Sequence, residues 1–309
     1  MPQSPRSRDT GANIFTALEV QRFAARNAFG SFLALVIRRS SGDVANLMTF
    51  MRIRHCALRA IDRVVGAMFR GSLPTYLHGE WIWLSRECWS SIYGRYEPRV
   101  TKAIASHLRR GGRFWDVGAN VGILSLFASK IVGPSGSVCA FEPSPGVVEQ
   151  LRRNVRSTAI EVLPIGIGNE DGVRTFAAQG TSTSASFHKA VTAINERYTP
   201  DQPITEISVV IRRLDTVLAH CAPPSLLKID IEGFELEAIK GASCLLSSHC
   251  PTMLIEVHPE QLALSGGSEK ELFERLRAHR YTWTVIDRNV NGLYTVLALP
   301  QIATKNSRQ

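Results

Sequence analysis

The hydrophobic pattern alternates between two periods from residue 80 to the end of the chain. Short apolar runs bounded by glycine, proline or polar residues predict strands; these runs lie at 80–85, 113–117, 137–141, 160–165, 226–230, 252–257, 281–286 and 293–298. Apolar residues three and four positions apart predict helices; these follow "YEP" at 96–98 and lie at 121–131, 145–157, 234–247 and 268–279. Alternating strands and helices are typical of a parallel sheet covered on both faces.

Two features depart from simple alternation. A long insert at 167–225 contains the Ser- and Thr-rich "GTSTSASF" and at least one further strand at 207–211. The last two strands are joined by "DRNVNG", a link of hairpin length, which makes that pair antiparallel. We therefore predict the α/β fold class, with a doubly wound, seven-stranded, mostly parallel sheet of Rossmann-like type and an N-terminal helical extension.

The N-terminal part of the chain has a different texture from the rest. Its first 13 residues are rich in Pro, Ser, Gly and Arg, a composition that predicts disorder. Apolar residues at helical spacing then predict helices at 14–39 and from Asp43 to about Phe69, before Gly71 and Pro74. The predicted division is a basic helical extension at 1–72, a main domain at 73–299 and a tail at 300–309.

The net charge of +9 is concentrated in the first third of the chain. Residues 1–100 hold 14 arginines, no lysine and seven acidic residues. Arginines spread along helices are typical of a solvated face, so we do not expect nucleic acid as a partner, and peripheral membrane contact through 14–39 stays open. No apolar run approaches the roughly 20 residues of a membrane-spanning helix.

The six cysteines show neither a CxxC pair nor the spacing of zinc ligands. They favour a reduced, cytoplasmic protein, because disulfide frameworks are found mainly in oxidising compartments.

The turn "FWDVGANVG" at 114–122 joins the first strand of the sheet to a helix. It offers Asp116, Gly118, Asn120 and Gly122, whereas a dinucleotide site needs G-x-G-x-x-G, and Ile123 stands where the last glycine would fall. A carboxylate here repels a pyrophosphate but can bind an ammonium group, and the helix N-terminus can hold a carboxylate. The turn therefore favours S-adenosylmethionine over NAD.

A second acidic residue ends the next strand. "SVCAFEP" places Glu142 26 residues after Asp116, where an acid can accept hydrogen bonds from both ribose hydroxyls. Alone, such a residue is more often a helix cap or a solvated side chain. Together with Asp116 on the neighbouring strand, it makes the cofactor interpretation more specific.

Five motifs in this chain resemble the FkbM-type methyltransferases over roughly residues 91–299. They are "YEP" at 96–98, "DVGANVG" at 116–122, "FEPSP" at 141–145, "LKIDIEGFELEAIKGA" at 227–242 and "IEVHP" at 255–259. The resemblance implies a class I, S-adenosylmethionine-dependent enzyme of a family that mostly methylates hydroxyl oxygens of sugars and natural products. It says nothing about residues 1–72.

The resemblance also implies roles for single residues. Those of the 116–122 turn would line the methionine end of the cofactor, and Glu142 would hold its ribose. Asn169, in "GIGNEDG" at 166–172, is the candidate for the adenine. Tyr96 and Glu97 would cover the cofactor from the side, although Glu97 before Pro98 also suits a helix N-terminus.

Titratable residues follow the fourth and fifth strands of the predicted sheet. Strand alternation places Lys228, Asp230 and Glu232 on one face, and Glu256 with His258 on another common face. An alcohol acceptor must lose a proton, which requires a base or a metal. We expect His258 or Asp230 to be the base, with Glu232 beside them and Glu256 in support.

A divalent ion such as Mg²⁺, held by Asp230, Glu232 and His258, is the rival account. These spacings match no metal motif, so a metal-free site is preferred. The sequence thus predicts an O-methyltransferase acting on a hydroxyl of a sugar, glycolipid or secondary metabolite. An RNA methyltransferase, prompted by the Arg-rich N-terminal third, and a non-catalytic S-adenosylmethionine-binding scaffold remain as alternatives.

Overall fold

Seven strands of the computed structural model form one central sheet. The structure describes residues 72–77, 80–85, 97–179, 204–289 and 292–301. Its strands are β1 Ser72–Leu77, β2 Glu80–Ser85, β3 Arg113–Val117, β4 Ser137–Phe141, β5 Glu161–Leu163, β6 Gly166–Ile167, β7 Gly172–Gln179, β8 Ile204–Arg212, β9 Leu226–Ile229, β10 Thr252–Val257, β11 Tyr281–Arg288 and β12 Tyr294–Pro300. Its helices are α1 Pro98–His107, α2 Ile123–Val132, α3 Pro145–Val155, α4 Leu214–Val217, α5 Glu235–Lys240, α6 Pro259–Leu264 and α7 Glu269–Ala278, with a π-helical turn at Leu245–His249.

The strand order of the central sheet is β11-β12-β10-β9-β3-β4-β5. Strands β5, β4, β3, β9 and β10 run parallel, whereas β12 is antiparallel to both β10 and β11. The order reverses beside β3, where β9 lies on one side and β4 on the other. Ligands of doubly wound sheets bind at such a reversal. The predicted fold class, including the antiparallel pair at the end, is confirmed.

Both faces of the sheet are buried. Phe114 and Trp115 are adjacent on β3 and point to opposite faces, yet their side chains are almost completely inaccessible. Phe114 packs in a core that includes Leu124 and Phe127 of α2. Trp115 packs in a second core with Leu236 of α5. Helices therefore cover both faces, as near-continuous apolar strands require.

The insert contributes a separate three-stranded sheet of order β6-β8-β7. Strands β7 and β8 are an antiparallel pair that runs from Gly172↔Ile211 to Gln179↔Ile204. The predicted strand at 207–211 lies within β8. The Ser- and Thr-rich segment at 180–187 lies outside the described residues.

Two helical features differ from the expectation. The predicted helix at 234–247 consists of α5 and the π-helical turn, and the break follows from a close backbone contact: a Cβ on Gly241 would lie 2.0 Å from the carbonyl oxygen of Gly168. Helix α6 was not expected. It begins with Pro259 directly after β10, because a proline at the first helical position loses no hydrogen bond.

Residue contacts divide the chain into the units Met1–Pro74 and Thr75–Gln309. The helices predicted at 14–39 and at 43–69 lie outside the described residues. Within the described part, every helix is too short or too polar to cross a membrane.

Candidate active site

A cavity opens at the carboxyl ends of β3, β4 and β9, where the strand order reverses. Its walls come from the turns that follow these strands and from the sheet of the insert, and they comprise Val117, Gly118, Asn120, Phe141, Glu142, Pro143, Ile165, Gly166, Ile167, Phe176, Asp230, Ile231 and Glu232. Five of the predicted site residues thus line one cavity.

The turn after β3 uses three residues in the left-handed region, with φ of 75° at Gly118, 53° at Asn120 and 85° at Gly122. A Cβ on Gly118 would lie 1.9 Å from the carbonyl oxygen of Asp230, so the two turns touch backbone to backbone. The Oδ1 atom of Asn120 accepts a hydrogen bond of 2.7 Å from the amide of Val121, which stabilises the strained conformation. The glycine spacing that the sequence showed is therefore required by geometry.

Glu142 directly follows β4, and its side chain is buried at the edge of the cavity. Its Oε2 atom accepts a hydrogen bond from the Asn120 amide (3.1 Å), and its Oε1 atom accepts one from the Ser144 amide (2.9 Å). Burial raises the pKa of Glu142 to about 7, against the lowering effect of these two hydrogen bonds. Each oxygen keeps acceptor capacity for a ligand hydroxyl.

Asp116 is completely buried and does not line the cavity. Ser125 donates a 2.6 Å hydrogen bond to its Oδ2 atom, and Lys228 Nζ lies 3.2 Å from its Oδ1 atom. Lys228 also contacts Asp230 (3.4 Å) and donates to the carbonyl of Gly118 (2.8 Å). These contacts confirm that Lys228 and Asp230 share one side of β9, but the expected ligand-facing carboxylate of Asp116 is already bound to Lys228.

His258 lies behind the acidic wall of the cavity. Its side chain is 2% exposed, and its Nδ1 atom is 2.8 Å from Oε1 of Glu235, which is itself fully buried. The Nε2 atom faces Asp230 Oδ1 at 3.7 Å and Glu232 Oε2 at 3.6 Å. Burial alone would lower the pKa of His258, but the hydrogen bond and charge of Glu235, with the charges of Asp230 and Glu232, raise it to about 10.

The neighbouring carboxyl groups are perturbed by one another. Burial raises the pKa of Glu232 to about 7, and the charge of His258 offsets this only in part. The charge of Asp230, followed by burial, raises the pKa of Glu256 to about 8. Glu232 has a φ of 53°, a strained value for a residue with a side chain. Strain and crowded carboxylates are both typical of functional sites.

Three further predicted residues, Gly122, Asn169 and Glu97, do not line the cavity. Asn169 is exposed and does not line it. Glu97 is the N-cap residue of α1, as its position before Pro98 suggested, and its charge acts on Glu256 and Lys228. Tyr96 lies outside the described residues.

Sequence reasoning missed Glu235 and Phe176. Glu235 occupies the first turn of a short helix, a position that usually faces solvent, and no sequence signal marks it as the partner of His258. Phe176 reaches the cavity from the hairpin of the insert, and a single aromatic residue on a strand gives no indication of that contact.

Comparison with known proteins places this geometry in a family. The family model described as "Methyltransferase FkbM domain" matches residues 116–282, more than half of the chain. Hexuronic acid methyltransferase AglP of Haloferax volcanii is 27% identical over 221 residues, which cover 70% of this chain and 82% of that protein. The 31-O-demethyl-FK506 methyltransferase FkbM of Streptomyces tacrolimicus is 32% identical over 200 residues, covering 57% and 74% respectively.

Solved structures of similar fold include methyltransferase FkbM from Methylobacillus flagellatus KT. It aligns with a TM-score of 0.41 and 16% identity over 64% of this chain and 50% of its own length. The family match covers the turn after β3, the end of β4 and the acidic ends of β9 and β10. The chain therefore belongs to the FkbM methyltransferase family and is an S-adenosylmethionine-dependent methyltransferase.

Proposed function

We propose that the protein is an O-methyltransferase that acts on a hydroxyl group of a sugar, glycolipid or secondary metabolite. The observation that carries the proposal is the pair of carboxylates, Asp230 and Glu232, on the cavity wall beside the family's cofactor turn. An alcohol must lose its proton during methylation, and a carboxylate can accept it. The names of the two relatives, a hexuronic acid methyltransferase and a 31-O-demethyl-FK506 methyltransferase, support the same acceptor class.

The residues of the cavity fit S-adenosylmethionine. We place its methionine end against Gly118 and Asn120 and its ribose on Glu142, whose oxygens keep acceptor capacity beside their two backbone hydrogen bonds. We place the adenine, expected near Asn169, against Ile167 and Phe176, two of the apolar residues of the cavity wall. Asp116 acts through Lys228 in this arrangement rather than by touching the ligand.

The cofactor, when bound, supplies an electrophilic methyl group on a sulfonium. The protein holds the acceptor oxygen in line with that group, and positioning of this kind supplies much of the rate enhancement. We assign proton acceptance to Glu232, whose side chain is 24% exposed at the cavity, rather than to His258, which is 2% exposed. His258 orients Glu232 and Asp230 from behind.

The proposal includes a small-molecule or saccharide partner and a cytoplasmic location. The described cysteines, Cys139, Cys221, Cys244 and Cys250, are free thiols, as in a reducing compartment.

The test is methyl transfer from radiolabelled S-adenosylmethionine to a panel of acceptors: a hexuronic acid glycoside, a macrolide polyol, the matching amino sugar and transfer RNA. We expect label on oxygen of the glycoside or the polyol. Label found only on nitrogen or on RNA would contradict the proposal.

Glu232→Gln should lower the turnover rate about 100-fold or more while S-adenosylhomocysteine affinity is kept. The same change at the exposed Glu260 should alter neither the turnover rate nor this affinity.

A further inference from the structure

Three side chains of metal-ligating type converge where β9 and β10 end. The parallel register pairs Ile229 with Ile255, so Asp230 and Glu256 follow at neighbouring positions. His258 comes two residues after Glu256, and strand alternation carries both to the same side. One donor atom from each of Asp230, Glu256 and His258 lies within 4.8 Å of the other two.

His258 is oriented as metal-ligating histidines are. Its Nδ1 atom bonds to the buried carboxylate of Glu235 at 2.8 Å, which leaves Nε2 directed at the cluster. A carboxylate on the second nitrogen is the usual support of a ligating imidazole, because it fixes the ring and raises its basicity. Nε2 lies 3.7 Å from Asp230 and 3.6 Å from Glu232, which are ion-pair distances longer than a hydrogen bond, so neither carboxylate holds Nε2 by a hydrogen bond.

These separations match donors that share an ion. With bonds of about 2.1 Å, two ligand atoms lie about 3.0 Å apart in adjacent positions and about 4.2 Å apart in opposite ones. The measured 3.7 Å between Asp230 and His258 lies between these values. All three donor atoms lie within 4.8 Å of one another. Side-chain movements of less than about 1 Å would therefore bring each pair to a separation that a shared ion allows.

The charge of the cluster also favours a cation. Lys228 contacts both Asp116 and Asp230, so its single positive charge serves two carboxylates. The side chain of Glu256 forms no hydrogen bond or ion pair with any other residue that the structure describes. Five carboxyl groups, of Asp116, Asp230, Glu232, Glu235 and Glu256, thus lie around two cationic groups, Lys228 and His258. A divalent cation would displace the protons of Glu256 and His258 on binding and add positive charge beside the remaining carboxylates.

We propose that Asp230, Glu256 and His258 form a three-ligand site for a divalent cation whose open positions bind the acceptor hydroxyl. Three protein ligands leave coordination positions open, as in catalytic rather than structural metal sites. Asp230 also lines the cofactor cavity, so these positions face the space where the acceptor is placed. The sequence suggested Glu232 as a ligand beside Asp230 and His258. In the site proposed here, Glu256 takes that place.

The role of this ion in methyl transfer rests on the proposed function; its binding does not. The cation polarises the acceptor oxygen and makes its O–H bond easier to break. The proton moves to the carboxylate of Glu232. The acceptor oxygen forms a bond to the methyl carbon as the bond between that carbon and sulfur breaks, which leaves neutral S-adenosylhomocysteine. The reaction needs no oxidant or further reactant.

The test is a Mn²⁺ titration of the metal-stripped full-length protein, followed by electron paramagnetic resonance. Mn²⁺ accepts carboxylate ligands readily. We expect one tight site per chain, at least tenfold weaker in Glu256→Gln. Glu161→Gln is the matched control, because Glu161 lies with Cys139 and Cys221 at the other place in the described residues where three donor groups converge. Absence of stoichiometric binding, or equal affinity in Glu256→Gln, would overturn the proposal.

Activity after metal removal separates this proposal from the proposed function. We expect chelation to abolish methyl transfer, Mn²⁺ or Mg²⁺ to restore it, and S-adenosylhomocysteine binding to persist throughout. Full methylation of a hydroxyl acceptor by the stripped enzyme would end the cation's proposed role and leave the O-methyltransferase intact. Stoichiometric Mn²⁺ with no methylation of any hydroxyl acceptor would instead support the ion site and count against the proposed function.

Discussion

Glu142 is the residue at which cofactor binding should depend on pH. Its pKa is raised to about 7, mainly by burial, and its oxygens are placed to accept hydrogen bonds from the ribose. A ligand that prefers the carboxylate form loses affinity when the pH falls through this value. We expect S-adenosylhomocysteine to bind more weakly at pH 6 than at pH 8 in calorimetric titrations.

Two glutamine variants test the origin of that pH dependence. Glu142→Gln should bind S-adenosylhomocysteine weakly at both pH values, because its side chain has no proton to lose. Glu149→Gln, an equal change on the exposed side of α3, should keep the wild-type profile. An unchanged profile in Glu142→Gln would assign the titration to another group.

Asp116 should matter for stability as well as for binding. Its removal leaves the buried ammonium of Lys228 with Asp230 as its carboxylate partner and leaves Ser125 without its acceptor. Asp116→Ala should lower the free energy of unfolding by about 3 kcal/mol, measured by urea denaturation. Glu170→Ala, which removes an exposed pair with Arg174, should cost less than about 1 kcal/mol. Equal losses in the two variants would show that the buried pair has no special role.

At the scale of elements, the turn after β3 fixes how α2 packs on α3. Gly122 caps α2 with a φ of 85°, and a Cβ there would lie 2.4 Å from Cδ1 of Leu151. Gly266 has a similar φ of 81° with open space around it. Gly122→Ala should therefore destabilise the protein by about 1–3 kcal/mol more than Gly266→Ala, because it adds overpacking to the same backbone strain.

The double variant Gly122→Ala/Leu151→Ala gives the control for that contact. Removing the Leu151 side chain makes room for the new methyl group. The double variant should therefore lose less unfolding free energy than the sum of the losses in Gly122→Ala and Leu151→Ala alone. Full additivity would mean that backbone strain alone accounts for the cost of Gly122→Ala.

For the whole molecule, ligand binding should be visible as thermal stabilisation. A ligand that binds only the folded state at about 100 times its dissociation constant adds about 2.7 kcal/mol. In a domain of this size that corresponds to about 5–10 °C in the unfolding midpoint. We expect such a shift with S-adenosylhomocysteine by differential scanning fluorimetry, and a smaller one in Glu142→Gln at the same ligand concentration. Equal shifts would place the ribose elsewhere.

Much of the fold could be predicted from the chain because apolar periodicity reflects burial directly. The runs at 113–117, 137–141 and 252–257 coincide with strands, since a strand buried on both faces must be apolar throughout. Helix 234–247 was less predictable. Its apolar spacing is helical, but the approach of Gly241 to Gly168 depends on a residue more than 70 positions away.

The sheet, the cofactor turn and the carboxylates at the strand ends could all be predicted from the order of residues along the chain. Each follows from local chemistry: periodicity defines strands, left-handed backbone favours glycine and asparagine, and parallel strands bring their ends to one edge. The pairing of the charged side chains, in contrast, depends on the folded arrangement. Asp116 contacts Lys228, His258 contacts Glu235, and Glu256 lies beside Asp230, because register and burial select partners that spacing along the chain does not specify.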